Sequence, residues 1–206
     1  MIVAGGQPPE IELINEYQQA GFHYIIAADR GAEFLMASGI TFDLALGDFD
    51  SLPAKYREEL EETHEILCYD AAKDFTDTEG ALREAIRRGS RAVVIFGATG
   101  TRYDHFMANL GVLKKALDQG IHCEIRDSHN KIFLLKEPTV IPREAGWLSF
   151  SAFGPDVPDF SLAGVKYPIK GHTLTLGDPR CVSNEFAGDA EVSFASGIVL
   201  VIISRD

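Results

Sequence analysis

At 206 residues, 46% hydrophobic and 24% charged, the chain has the length and balance for one large globular domain or two small ones. Its 31 acidic against 19 basic residues give a formal net charge of −12, which excludes a basic stripe able to track a nucleic-acid backbone. Cys68, Cys123 and Cys181 are widely spaced and form no C-x-x-C pair, so neither a disulfide framework nor a structural zinc site is expected. The segment MIVAGGQPPE has no basic stretch followed by a long apolar one, and the longest apolar run, residues 197–203, is too short to span a bilayer. A cytoplasmic protein with no nucleic-acid and no membrane partner is the expectation.

In chain order, IVAGG, FHYIIAAD, DLALGD, HEILCY, RAVVIFG and IHCEIRD read as strands. Helical patterns cover 11–20, 31–38, 53–62, 76–88 and 104–119. Strand–helix alternation predicts an α/β domain over residues 1–127, a parallel sheet flanked by helices. From residue 128 the texture changes. KIFLL, GWLSFSAF, KYPI, HTLTL, AEVSFA and GIVLVII are separated by Pro, Gly, Asn and Asp without helical period, which predicts a small antiparallel all-β domain over 128–206, sandwich or barrel.

Sheets of the first kind bind ligands beyond the carboxyl ends of their strands. Asp29 ends the second apolar run, where it serves equally well as a helix N-cap. In LALGDFDS, Asp48 and Asp50 stand two apart after Gly47. On extended chain they point to one side, where two carboxylates repel unless a metal ion or a basic group lies between them. The weaker reading is that Asp50 caps a turn. In KDFTDTEGALREAIRRG, Thr76 and Glu79 fit a capping box and Asp77 suits the first helical turn, which leaves Lys73 and Asp74 without a structural purpose.

In GATGTRYDHFMANLGVLKKAL, Phe106, Leu110, Leu113 and Leu117 recur at helical spacing and predict a buried stripe, with Asp104 as cap and His105 and Asn109 beside it. Gly97, Thr99 and Gly100 leave backbone N–H groups free at a helix start, a place for phosphate oxygens, and Arg102 adds a strong cation. A dinucleotide fingerprint is not met, because the position of its third glycine holds Tyr103.

Taken in order, ADRGA, GDFDS, KDFTD and GATGTRYDH resemble the signature series of the thiamine pyrophosphokinase family, bacterial type, and GVKYPI (164–169) and CVSNEF (181–186) resemble its C-terminal segments. The resemblance spans nearly the whole chain. It implies an α/β domain followed by a β-sandwich, in a homodimer whose active sites combine one chain's first domain with the other's second. It implies transfer of the pyrophosphoryl group of ATP to the hydroxyl of thiamine, with release of AMP. By position, Asp29, Asp48, Asp50 and Asp77 would hold Mg²⁺. Lys73, Asp74, Arg102, Gly97, Thr99, Gly100, Asp104 and His105 would line the ATP phosphates. Tyr167, Ser183 and Asn184 would lie on the thiamine side, Tyr167 stacking on the cationic ring. Asp50 and Asp77 are the two candidates for accepting the hydroxyl proton. The family usually has glycine where this chain has Thr101. Two other readings stay open on the residues alone: a non-catalytic nucleotide- or thiamine-binding protein, and a phosphatase with Asp48 as nucleophile.

Overall fold

A computed structural model describes residues 1–49, 57, 60, 62, 64–69 and 73–206. Met1–Ser128 and His129–Asp206 form two compact units. The first runs β1 (Ile2–Val3), α1 (Ile11–Gln19), β2 (Ile26–Ala28), α2 (Gly31–Ala37), β3 (Leu44–Gly47), β4 (Glu65–Cys68), α3 (Asp77–Arg87), β5 (Ala92–Phe96), α4 (Tyr103–Asp118) and β6 (His122–Arg126). Its strands are all parallel, in the order β6-β5-β1-β2-β3-β4. The chain therefore builds outward from β1 on one side and then returns to add β5 and β6 on the other. The order switches between β1 and β5.

Burial on both faces explains why these strands are almost purely apolar. Val3, Ala27, Ala45, Val94 and Phe96 share one core with Leu13 and Ile14 of α1 and with Ala32 and Leu35 of α2. Their neighbours Ile2, Ile26, Leu44, Leu46 and Ile95 are equally buried, with α3 over β1 to β3 and α4 over β6. The stripe of α4 is rotated from the expected one: Asn109, Leu110, Val112, Leu113 and Ala116 are buried, while Phe106 and Leu117 are only half-buried. Most of the helix expected over 53–62 lies outside the described residues.

Thr76 caps α3 by accepting the Glu79 N–H at 3.2 Å. The reciprocal half of the capping box is absent, because the Glu79 carboxylate bonds Arg83 at 2.5 Å and Lys115 of α4 at 2.6 Å. At the other end, Glu84 takes Arg87 at 2.6 Å and Arg88 at 2.5 Å. Arg88 continues to Glu65 at 2.5 Å, tying edge strand β4 to the helix. The Arg87 hydrogen bond, opposed by burial and reinforced by Arg88, holds the Glu84 carboxyl down at about 2.

The second unit is antiparallel: β7 (Asn130–Leu135), β8 (Thr139–Ile141), β9 (Trp147–Ala152), β10 (Val157–Val165), β11 (Ile169–Leu174), a 3₁₀ turn (Pro179–Cys181), β12 (Asn184–Ser193) and β13 (Val199–Ser204). β13 lies between β7 and β9. β12 starts beside β9 and then runs between β8 and β10, with β11 beyond β10. Phe150 and Phe160, with ring centroids 5.3 Å apart, sit in the common core. Two sequence expectations change here. Of KYPI, residues 166–168 form the turn between β10 and β11 and only Ile169 is in a strand, whereas the nine-residue strand VPDFSLAGV was hidden by Pro158, Asp159 and Gly164. Among the described residues no helix is long and apolar enough to cross a membrane.

Candidate active site

The loops at the carboxyl ends of the parallel strands line up along one edge. At the switch between β1 and β5, where open α/β sheets form a crevice, two glycine-bearing loops are joined. The Gly6 N–H donates to Gly97 O at 2.8 Å and the Gln7 N–H to Thr99 O at 2.7 Å. No side chain fits between them. A Cβ on Gly6 would stand 2.3 Å from Thr99 O, and one on Gly97, whose φ is 64°, would stand 2.2 Å from Ala4 O. The second loop is anchored from below as well. Asn109, buried in α4, donates to Ala98 O at 2.8 Å, and Thr99 Oγ1 donates to Asp127 at 2.9 Å.

Gly97, Thr99 and Gly100 thus form a fixed backbone ledge leading to the start of α4. Arg102, not Asp104, occupies the N-cap position, and its side chain makes no cap. Asp104 lies inside the first turn and accepts from Arg102 at 2.5 Å, with the two side chains 63% and 67% exposed. That bond, against some burial and helped by the His105 N–H, holds the Asp104 carboxyl at about 2. His105 is exposed in the same turn.

The carboxylates stand at the ends of β2 and β3. Asp29 follows β2 at a φ of 51°, donating its N–H to Leu46 O at 2.8 Å. The N-cap position of α2 is Arg30, one residue after Asp29. Gly47 approaches so closely that a Cβ there would be 3.2 Å from the Asp29 Cα. Half-buried Asp48 follows at once. Phe49 then adopts a φ of 54° with its ring buried. Phe49 is therefore not in extended conformation; the expectation that Asp48 and Asp50 share a side involves Asp50, which lies outside the described residues.

Beyond β4, Tyr69 donates its N–H to Gly47 O at 3.1 Å. Gly80 lets α3 settle against Tyr69, Phe75 and Leu46, since a Cβ would come within 3.1 to 3.3 Å of all three side chains. This contact brings the first turn of α3, with Asp77, beside the ends of β3 and β4. Asp77 pairs with Lys73 at 2.7 Å. Asp74 is exposed on the bend before the helix.

In the second unit, Tyr167, Ser183 and Asn184 come together. Buried Asn184 accepts the Tyr167 N–H at 3.1 Å and donates to Tyr167 O at 2.7 Å, clamping the turn that carries the 58% exposed Tyr167 ring. Lys166, paired with Glu185 at 2.6 Å, covers that ring at 5.3 Å. Ser183, at a φ of 56°, donates its N–H to Ser149 Oγ at 2.9 Å.

A different cluster, His172, Asp178 and Cys181, has metal-ligating chemistry but reads as a clasp. The two Asp178 oxygens are engaged by His172 at 2.5 Å and by the Arg180 N–H at 3.0 Å. Burial pushes the Cys181 thiol up to about 11, away from the thiolate a metal takes.

Residues 5–7, Asn109 and Asp127 are parts of the ledge that sequence reasoning did not assign. The glycine pair after the first strand was the available signal for residues 5–7. The buried amide of Asn109 had none, because its partner is a backbone carbonyl.

The catalytic-domain model of thiamin pyrophosphokinase matches residues 17–125, and the model of its vitamin B1 binding domain matches residues 136–199. The chain is 34% identical over 210 residues to the thiamine pyrophosphokinase of Bacillus subtilis (strain 168), covering 100% of this chain and 98% of that protein. The crystal structure of a Bacillus subtilis thiamine pyrophosphokinase superposes with a TM-score of 0.89 at 31% identity, over 100% of this chain and 98% of that one. An Enterococcus faecalis thiamin pyrophosphokinase family protein gives 0.88 at 33% identity, with the same coverage. The Candida albicans enzyme shares the fold with a TM-score of 0.83 at 16% identity, over 99% of this chain and 88% of that one. With two models matched in order and a relative aligned end to end, the chain belongs to the thiamin pyrophosphokinase family.

Proposed function

We propose that this chain transfers the pyrophosphoryl group of ATP to the hydroxyl of thiamine, giving thiamine diphosphate and AMP. The observation that supports this most directly is the bonded pair of glycine loops at the sheet's switch point, in line with the carboxylates at the ends of β2 and β3. Backbone N–H groups and Arg102 suit phosphate oxygens, and Lys73 adds a cation from the far end. Asp74, Asp104 and His105 complete the walls of this channel. Arg102 exchanges Asp104 for phosphate, since its present ion pair is open to solvent and weak.

Mg²⁺ is the ion this donor set fits. Asp29, Asp48, Asp50 and Asp77 offer hard carboxylate oxygens, and a cation, the Lys73 ammonium, already stands 2.7 Å from Asp77. Bound there, Mg²⁺ neutralises phosphate charge and the charge developing on departing AMP. The chain's own contribution is alignment of the hydroxyl with the β-phosphorus and, through Asp50 or Asp77, acceptance of its proton. Tyr167, Ser183 and Asn184 hold thiamine, in a homodimer where the second unit of one chain serves the first unit of its partner.

The decisive experiment incubates protein with ATP, Mg²⁺ and thiamine. AMP and thiamine diphosphate appear in equal amounts if the reading holds. ADP with thiamine monophosphate, or no turnover with both substrates bound, refutes it. Asp48→Asn abolishes turnover while leaving the melting curve intact. Mixing Asp48→Asn chains with Asn184→Ala chains restores part of the activity, and no recovery despite proven subunit exchange refutes shared sites.

A further inference from the structure

Lys73 is not placed like a lysine waiting in solvent for a phosphate. Its side chain is only 10% exposed, and its partner Asp77 is 25% exposed, so the 2.7 Å pair is not one that solvent screens to insignificance. The ammonium also lies 5.5 Å from the Tyr69 ring centre and 5.9 Å from that of Phe75. Those rings meet edge to face, 5.2 Å apart. The Arg83 guanidinium also lies over Phe75, 4.5 Å from its ring centre, and is itself fixed by Glu79. Gly80 provides the floor on which both rings rest. Two aromatic faces and one carboxylate favour a cation at this point.

We propose that Lys73 is the resident counter-cation of Asp77 in the nucleotide-free protein, and that Tyr69, Phe75 and Gly80 are positioning residues that keep it there. The inference rests on the metal reading given under Proposed function. A bare divalent ion has to displace the ammonium from Asp77, leaving Lys73 in a partly buried place without its partner. A metal–nucleotide complex offers Lys73 a phosphate in exchange. Asp77 is thereby released to the metal only when nucleotide comes with it, a coupling between two ligands set by one side chain.

The test is Mn²⁺ binding, measured by the electron paramagnetic resonance of the free ion, with and without α,β-methylene-ATP. Lys73→Met binds Mn²⁺ alone about tenfold more tightly than the parent, the scale of one partly buried charge pair, yet binds the Mn²⁺–nucleotide complex more weakly. Lys73→Gln behaves alike and covers the case in which the methionine variant does not fold. Phe75→Leu tightens Mn²⁺ binding in the parent and has no effect in the Lys73→Met background. Unchanged Mn²⁺ affinity in both lysine variants, with binding still abolished by Asp48→Asn, overturns the proposal and leaves the metal reading standing. An equal effect of Phe75→Leu in both backgrounds overturns the positioning role. Absence of Mn²⁺ binding from every protein, with nucleotide or without, overturns both readings together.

Discussion

Gly6→Ala is the sharpest structural test of the ledge. The added methyl would lie 2.3 Å from Thr99 O and 2.4 Å from Gly97 O. Both obstacles are backbone, so no side chain can swing aside. Relief requires parting the two loops, which breaks the 2.8 Å and 2.7 Å hydrogen bonds that join them. At about 1 kcal/mol for each bond and about 1–3 kcal/mol for the forced displacement, the cost is about 3–5 kcal/mol. For a chain of this size that corresponds to a melting point lower by roughly 6–20 °C. The assay is thermal unfolding followed by circular dichroism at one protein concentration, with KM for ATP measured well below the transition. KM for ATP rises because the parted loops no longer present their N–H groups in register. A variant that melts within about 2 °C of the parent and keeps its KM would refute the claim that these loops are locked together.

Gly111→Ala is the matched opposite. It sits inside α4 with nothing within 4 Å of a new Cβ, so stability rises by about 1 kcal/mol, read from the same melting curves. Glu84→Gln probes the α3–β4 tie. The folded carboxyl titrates at about 2 against an ordinary 4.5, so its stabilisation is present above pH 4.5 and disappears as the pH falls toward 2. The loss at neutral pH is up to about 3 kcal/mol, and the two melting curves converge through that acid window; a gap constant with pH contradicts the ion-pair account. Asn184→Ala removes both bonds to the Tyr167 backbone; KM for thiamine rises about tenfold, equivalent to about 1.4 kcal/mol, while KM for ATP stays unchanged. A parallel rise in both would point to general loosening instead.

Periodic elements were legible because their cause is local. The β-propensity runs around Ile26, Leu44 and Val94 lie where a two-sided parallel sheet needs them, and Thr76 starts α3 through a bond to a residue three positions on. What escaped the sequence depends on partners far along the chain. Gly6 is constrained by carbonyls at residues 97 and 99. Arg88 is fixed by Glu65 as well as by its own helix. Val157–Val165 carries Pro158, Asp159 at a φ of 54° and Gly164, signals that ordinarily end a strand; here they mark register shifts within one. At Phe49 a positive φ on a bulky residue overrode the assumption of extended chain between Asp48 and Asp50. The candidate carboxylates could be named from their motifs, but the contact of Gly47 with Asp29 that joins two strand ends was visible only in three dimensions.

The left-handed turn at Phe49 bears on how this enzyme family's acidic edge could be re-engineered. With its ring sunk in the same apolar cluster as Ala45 and Leu60, Phe49 acts as a peg that indexes the acidic segment against the sheet. Deleting or inserting one residue between Gly47 and Phe49 would trade core for solvent side chains, so altered specificity must come from exchanging side chains at constant loop length.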